Sequence, residues 1–246
     1  EIIIETLSEL EMNGIHVNPI CFKNQFNAEI YDNKLVYSKY YLYSSTGRPS
    51  NHFNNINYVA LNKSDGCRKS FTSRYGDEGK MVLIDYSAFH PRIISYLTKF
   101  PLDINTDIYQ YLGELYFNRK IIEYDIDEIK SITMRQLYGG IEKKYQHIKY
   151  LSHVKEFIEK YWVDFKKNGY IKTPLFGRFI TNKHLIDANP YKLLSYILQA
   201  TETEIAISIL RKILDFLVNK KTKVILYIYD SLLFDFYKPE GKELLD

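Results

Sequence analysis

The chain has 246 residues, 46% hydrophobic and 26% charged, an ordinary globular balance that excludes an intrinsically disordered chain. Its 33 Lys and Arg against 30 Asp and Glu leave a net charge of +3, too small by itself to name nucleic acid as a partner. Two cysteines, Cys21 and Cys67, exclude a disulfide scaffold and point to a reducing compartment. With Glu at position 1 and no secretory signal, the expectation is a segment of a larger protein that is cytoplasmic, or at a nucleoid or viral replication site, and not secreted. The longest apolar runs, VILYIY (224–229) and MVLI (81–84), are too short to cross a bilayer, so no membrane partner is expected.

In chain order, Ile3, Leu7, Leu10 and Met12 predict a helix over 2–13, stopped by Gly14. Residues 35–45 read as a β-rich stretch ending at the turn Thr46-Gly47-Arg48-Pro49. Residues 81–86 read as a buried strand ending in Asp85, followed by a helix from Ser87 to about Lys99. Helices are predicted over 105–117, over 127–138 (capped by Asp125 or Asp127 and closed by Gly139-Gly140), and over 152–168, stopped by Gly169. Residues 170–180 return to strand character around Pro174 and Gly177. Leu194, Ile197, Leu198, Ile205, Ile209, Ile213 and Leu217 place one apolar stripe on a long helix over 191–218. A hairpin closes the chain, VILYIY and LLFDFY around Asp230-Ser231. This order predicts an α+β fold in which an antiparallel sheet carries a helical insertion.

Asp85 and Asp230 each end or interrupt apolar strands, 145 positions apart. Brought together, two carboxylates repel, and a divalent cation removes the repulsion; hard oxygen ligands suit Mg²⁺. The plain alternative is two ordinary turn aspartates. Lys130, Met134 and Tyr138 share one helical stripe, a cation, an apolar side chain and a ring that fit a triphosphate and a base; the alternative is a surface Lys above two core residues. After Thr46-Gly47-Arg48 come Asn51, Asn54, Asn55 and Asn57, able to bind phosphates and minor-groove acceptors or simply to form a polar loop. Lys63, Arg68, Lys69, Arg74 and Lys80 form a modest basic stretch that reads as a solvated face. The His and Cys residues lack zinc spacing, and no Walker loop, dinucleotide fingerprint or serine elbow occurs.

These segments stand in an order that resembles the palm and fingers of family A DNA polymerases, the group of the bacterial repair polymerase and several phage replicative enzymes. DYSAFHPRIISYL (85–97) is similar to the first carboxylate motif, KSITMRQLYGG (130–140) to the fingers helix, and YIYDSLLFDF (227–236) to the second carboxylate hairpin. TGRPSNHFNNIN (46–57), TDIYQYLGELYF (106–117), TPLFGRFI (173–180) and ILQATETEIA (197–206) resemble the primer-template segment, the first fingers helix, the strand leaving the fingers and the Gln-bearing palm helix. The likeness runs over about residues 1–238.

The resemblance implies a right-hand polymerase with palm over 1–98 and 171–246 and fingers over 99–170. Where the family places a long thumb, only residues 15–45 intervene, so the thumb is expected to be absent or vestigial. It implies that Asp85 and Asp230, with the Tyr86 carbonyl, hold two Mg²⁺ ions about 3.5–4 Å apart for a two-metal displacement. Lys130 would neutralise the triphosphate; Met134, Tyr138, His90 and Arg135 would complete the nucleotide site; Arg48, Asn55, Asn57, Gln199 and Arg178 would contact the nucleic acid. The implied partners are primer-template DNA, dNTPs, and a processivity partner or further domains.

Departures are specific. His90 stands where the family has the Glu that screens the sugar 2′ position. Ile126 replaces an Arg, leaving Arg135, Arg119 or Lys120 to grip the triphosphate. Tyr229-Asp230-Ser231 replaces His-Asp-Glu, Met134 replaces an aromatic, and Tyr191 and Ser195 replace an Arg and an Asn. These keep two alternatives open: a catalytically impaired nucleic-acid-binding palm, and an enzyme of the single-subunit RNA polymerase kind.

Overall fold

The computed structural model describes residues 2–61 and 66–244, which leaves Lys63 outside the described residues. It divides into two units. One, here the sheet unit, comprises Glu1–Ser44, Arg48–Tyr86 and Ile205–Asp246; the other, the helical unit, comprises Ser45–Gly47 and Ser87–Glu204. In chain order the elements are α1 (Ile2–Asn13), β1 (Ile15–His16), α2 (Pro19–Phe26), β2 (Leu35–Val36), β3 (Tyr40–Tyr41), β4 (Ser50–Asn51), β5 (Gly79–Asp85), α3 (Phe89–Leu97), α4 (Ile108–Phe117), α5 (Ile126–Gly139), α6 (Lys149–Asn168), β6 (Tyr170–Lys172), β7 (Phe179–Thr181), α7 (Pro190–Phe216), β8 (Lys223–Ile228) and β9 (Ser231–Tyr237). The protein is thus a mixed helix and strand fold with small antiparallel sheets.

The sheet unit is organised by three antiparallel strands in the order β5-β9-β8. The β8–β9 hairpin matches the sequence expectation, with a bulge between Val224 and Leu226. The MVLI run does not. It was expected to be buried, but β5 is an edge strand, and Leu83 and Ile84 are 46% and 39% exposed. The cause is the strand order: α1 packs on β8, at the other margin. Leu7 and Leu10 bury their side chains, and the Asn13 side-chain amide donates to the Val224 carbonyl at 2.9 Å.

The basic stretch also departs from expectation at Arg74. Its guanidinium donates to the fully buried Asp235 carboxylate at 2.8 Å and to the carbonyls of Asn13 and Gly14 at 2.9 and 2.8 Å. The Ser73 hydroxyl and the Arg74 backbone N–H also donate to Asp235. Instead of a solvated face, this segment clamps the end of α1 to β9. Residues 35–45 hold only two short ladders, β2 against β1 and β3 against β4. The sequence reading missed α2 although its start is written in the chain. Asn18 accepts hydrogen bonds from the Ile20 and Cys21 N–H groups, and Pro19 occupies the first turn.

In the helical unit, Asp107 caps α4 by accepting from the Tyr109 and Gln110 N–H groups. The Asp125 carboxylate, expected to cap α5, makes no cap bond there. It accepts the Ile122 N–H and a two-pronged contact from Arg119 at 2.7 and 2.8 Å. α6 ends at Gly169, whose left-handed φ of 74° suits a residue without a Cβ. A core of Phe165, Ile171, Ile180, Leu185, Leu193 and Ile197 ties α6, the β6–β7 hairpin and the first turns of α7 together.

α4 and α5 pack closely at Gly113, where an added Cβ would lie 2.3 Å from the Ile129 Cδ1. Gly113→Ala is therefore expected to destabilise the protein by about 1–3 kcal/mol. Thermal unfolding reads this directly, and an unchanged midpoint would contradict the close approach.

α7 buries more than the expected stripe. Ala206, Ile207, Leu210 and Leu214 are buried, while Ile205, Ile209 and Ile213 are only half-buried. By length and composition α7 is the one helix among the described residues apolar enough to cross a membrane, and 61% of its most apolar window is buried within the protein. A core helix passes the same test.

Candidate active site

Strand alternation decides which side chains of the sheet unit share a face. Met81, Leu83 and Asp85 alternate along β5, and Asp85 pairs with Ser231 at the end of β9. Asp230 occupies the two-residue turn just before that pair. The Tyr86 N–H donates to the Asp230 carbonyl at 2.8 Å, which pins the two carboxylate-bearing segments to each other. Asp85 and Asp230 line one cavity of about 490 Å³, floored by Met81, Leu83, Leu226 and Leu233 and bordered by Arg68. Both aspartates are exposed, so the sheet delivers two carboxylates to one open end of an apolar trough.

The turn carries a second unusual feature. Tyr229 has φ of 57°, a conformation rare for a bulky L-residue, and the Arg48 guanidinium lies 4.9 Å over its ring. Such backbone outliers concentrate where a turn must aim a neighbouring group. Burial raises the Tyr86 phenol above its ordinary value, which works against a phenolate at this position.

The donor set fits Mg²⁺ in one particular way. Among the described residues no group of three or more His, Cys, Asp or Glu side chains forms a closed metal cage. Two exposed carboxylates and a backbone carbonyl are an open set of hard oxygens, and Mg²⁺ commonly completes such a set with water and substrate phosphate.

The helical unit places the second group of residues. On α5, Ile129, Ile132, Thr133, Gln136 and Leu137 face inward, while Lys130 and Arg135 are exposed and Met134 and Tyr138 half-buried. The stripe of Lys130, Met134 and Tyr138 is therefore a surface stripe and not the core face. Lys130 Nζ lies 5.8 Å from the centroid of the Tyr109 ring on α4. Arg135 pairs with Glu142 at 3.3 Å, and Arg119 is engaged by Asp125. Behind the stripe, His90 is buried with both ring nitrogens engaged. Nδ1 meets the Tyr138 hydroxyl, and Nε2 lies 2.6 Å from the Glu202 carboxylate, itself 0% exposed.

The protein has a polymerase-like fold. Among solved structures it is similar to the POL domain of Pol1 from M. smegmatis in complex with DNA primer-template and dNTP, with a TM-score of 0.74 and 16% sequence identity. The alignment covers 92% of this chain and 45% of that one, so this chain spans less than half the length of that chain. No protein-family model and no curated protein matches the sequence.

The remaining sequence candidates fall at defined places in this polymerase-like fold. Gln199 donates to the Ser195 hydroxyl at 2.8 Å, one turn back on α7. Arg178 leans on the Thr-Gly-Arg turn, where a Cβ on Gly47, at φ of 88°, would come within 3.0 Å of its guanidinium. Asn54 and Asn55 both have positive φ in the tight turn linking Phe53 and Ile56, so turn geometry explains those two residue types. Asn57 accepts the Val59 N–H at 3.2 Å.

Sequence reasoning missed Glu202 and Glu204. Burial pushes the Glu204 carboxyl up, and the Thr173 hydroxyl and Arg178 oppose that shift. The available signal was two carboxylates in the run ATETE inside an otherwise apolar helix.

Proposed function

We propose that this chain is the catalytic portion of a template-directed DNA polymerase of the family A kind, a palm and fingers with little or no thumb. It would transfer a dNTP to a primer 3′-hydroxyl. The primer oxygen bonds to the α-phosphorus, the bond to pyrophosphate breaks, and the hydroxyl proton leaves to solvent. The observation that carries the reading is the placement of Asp85 and Asp230 at one end of the β5-β9-β8 sheet, where both line one cavity, within a polymerase-like fold.

Asp85, Asp230 and the Tyr86 carbonyl would hold two Mg²⁺ ions. When bound, these ions supply charge neutralisation at the attacking and leaving oxygens. The stripe on α5 would bind the nucleotide, with Lys130 on the triphosphate and Met134 and Tyr138 against the base and sugar. Arg48, Gln199, Arg178, Asn55 and Asn57 would contact primer-template DNA.

The test is extension of a primed DNA template by the purified chain. Product that requires both dNTPs and Mg²⁺ is expected; tight binding of primer-template without extension would instead favour a non-catalytic palm. Lys130→Ala should raise the dNTP KM about tenfold, the scale of one charge-assisted contact to phosphate, without abolishing DNA binding. Steady-state kinetics with an unchanged kcat/KM would remove Lys130 from the site.

A further inference from the structure

We propose that Glu202 is a positioning residue for nucleotide selection: acting through His90, it fixes the hydroxyl of Tyr138 on the nucleotide-binding stripe of α5. The inference rests on the polymerase reading and deepens it.

Three side chains from three helices form one chain of hydrogen bonds. Glu202 comes from α7, His90 from the first turn of α3 and Tyr138 from the last turn of α5. Glu202 is fully buried and His90 only 9% exposed. A buried carboxylate in an apolar helix is expensive to keep unless it has a partner, and the 2.6 Å contact to His90 Nε2 is that partner.

The chemistry of the ring transmits the constraint. A carboxylate accepts, so Nε2 carries the proton facing Glu202. In the neutral ring Nδ1 then accepts, and the Tyr138 hydroxyl donates to it. One carboxylate thereby sets the tautomer of His90, the orientation of its ring and the direction of the Tyr138 O–H. The same logic underlies acid–imidazole–hydroxyl arrays in which replacing the acid by its amide leaves the geometry intact but selects the wrong tautomer.

The arrangement gives His90 a function that its identity alone does not. The resembled family carries a carboxylate at this position; here the carboxylate is supplied from position 202, and the imidazole spans the distance to Tyr138. With both ring nitrogens engaged and the Tyr138 proton committed to Nδ1, this wall offers a 2′-hydroxyl no donor and a single acceptor, the phenol oxygen, held in the orientation that the bond to His90 sets. A wall held in one orientation selects between sugars by how their edges fit it, so releasing His90 and Tyr138 relaxes that preference.

The experiment combines kinetics and spectroscopy on Glu202→Gln, Tyr138→Phe and the double variant, in the full chain. Glutamine keeps the volume of Glu202, and circular dichroism with thermal unfolding checks that each variant folds. In ¹⁵N-histidine spectra the wild type should show one ring nitrogen protonated and the other accepting, and Glu202→Gln should alter that pattern for His90. In primer extension each single variant should lower the dNTP-over-rNTP preference about tenfold, the scale of one buried charged hydrogen bond. The effect should fall mainly on nucleotide KM.

The double variant should be no worse than either single one, because both changes break the same chain. Additive losses, an unchanged sugar preference in an enzyme that extends primers, or an unaltered His90 spectrum would overturn the inference and leave the polymerase reading standing. A wild type that extends no primer overturns both.

Discussion

Asp85→Asn and Asp230→Asn are each expected to reduce Mg²⁺-dependent primer extension on the order of 10³-fold, while leaving the protein folded. Both changes keep side-chain size and remove one negative charge. The two aspartates are exposed at the sheet end, and the Asp230 atom that bonds Tyr86 is its backbone carbonyl, which the substitution does not touch. Surface changes of this kind usually move stability by only about 0.5 kcal/mol. Loss of function without loss of fold is therefore the signature of carboxylates kept for chemistry. The measurement is single-turnover extension over a Mg²⁺ titration, with thermal unfolding alongside. Full activity in both variants would return Asp85 and Asp230 to the status of turn aspartates.

Asp235→Ala should produce the opposite pattern, a loss of about 3 kcal/mol of stability. Asp235 lies on β9 only five residues from Asp230, yet it is fully buried and accepts from the Ser73 hydroxyl, the Arg74 N–H and the Arg74 guanidinium. Removing the carboxylate leaves three donors and a partly buried cation without it, and loosens the clamp from Arg74 to the carbonyls of Asn13 and Gly14. Urea unfolding should show a lower midpoint with an unchanged slope. A midpoint equal to that of the wild type would mean that the Asp235–Arg74 clamp adds nothing to what Leu7, Leu10 and the Asn13–Val224 hydrogen bond already hold.

These two aspartates on one hairpin show what kind of information the sequence carries. Asp230 announces itself because it interrupts two apolar runs at a turn, and turn chemistry is local. Asp235 reads in sequence as an outward-facing polar position in the alternation LLFDFY. Its burial depends on Arg74, 161 residues away, and no local pattern encodes that meeting. The same division separates His90 from Glu202. His90 stood out as a departure in a recognisable motif, whereas the role of Glu202 exists only once α3, α5 and α7 are packed together.

The sequence by itself determined the order of the main helices, most of their bounds, the β8–β9 hairpin and the candidate carboxylates, but not α2 or the short ladders before β5, because helix period, strand alternation and glycine stops act over a few residues and need a long enough run to show. Only the tertiary structure decided that β5 lies at the sheet edge, that Asp85 and Asp230 open on one cavity, and that a buried glutamate stands behind His90. Strand order, burial and the pairing of distant charges are set by which surfaces exclude water together, and that depends on contacts between residues far apart in the chain.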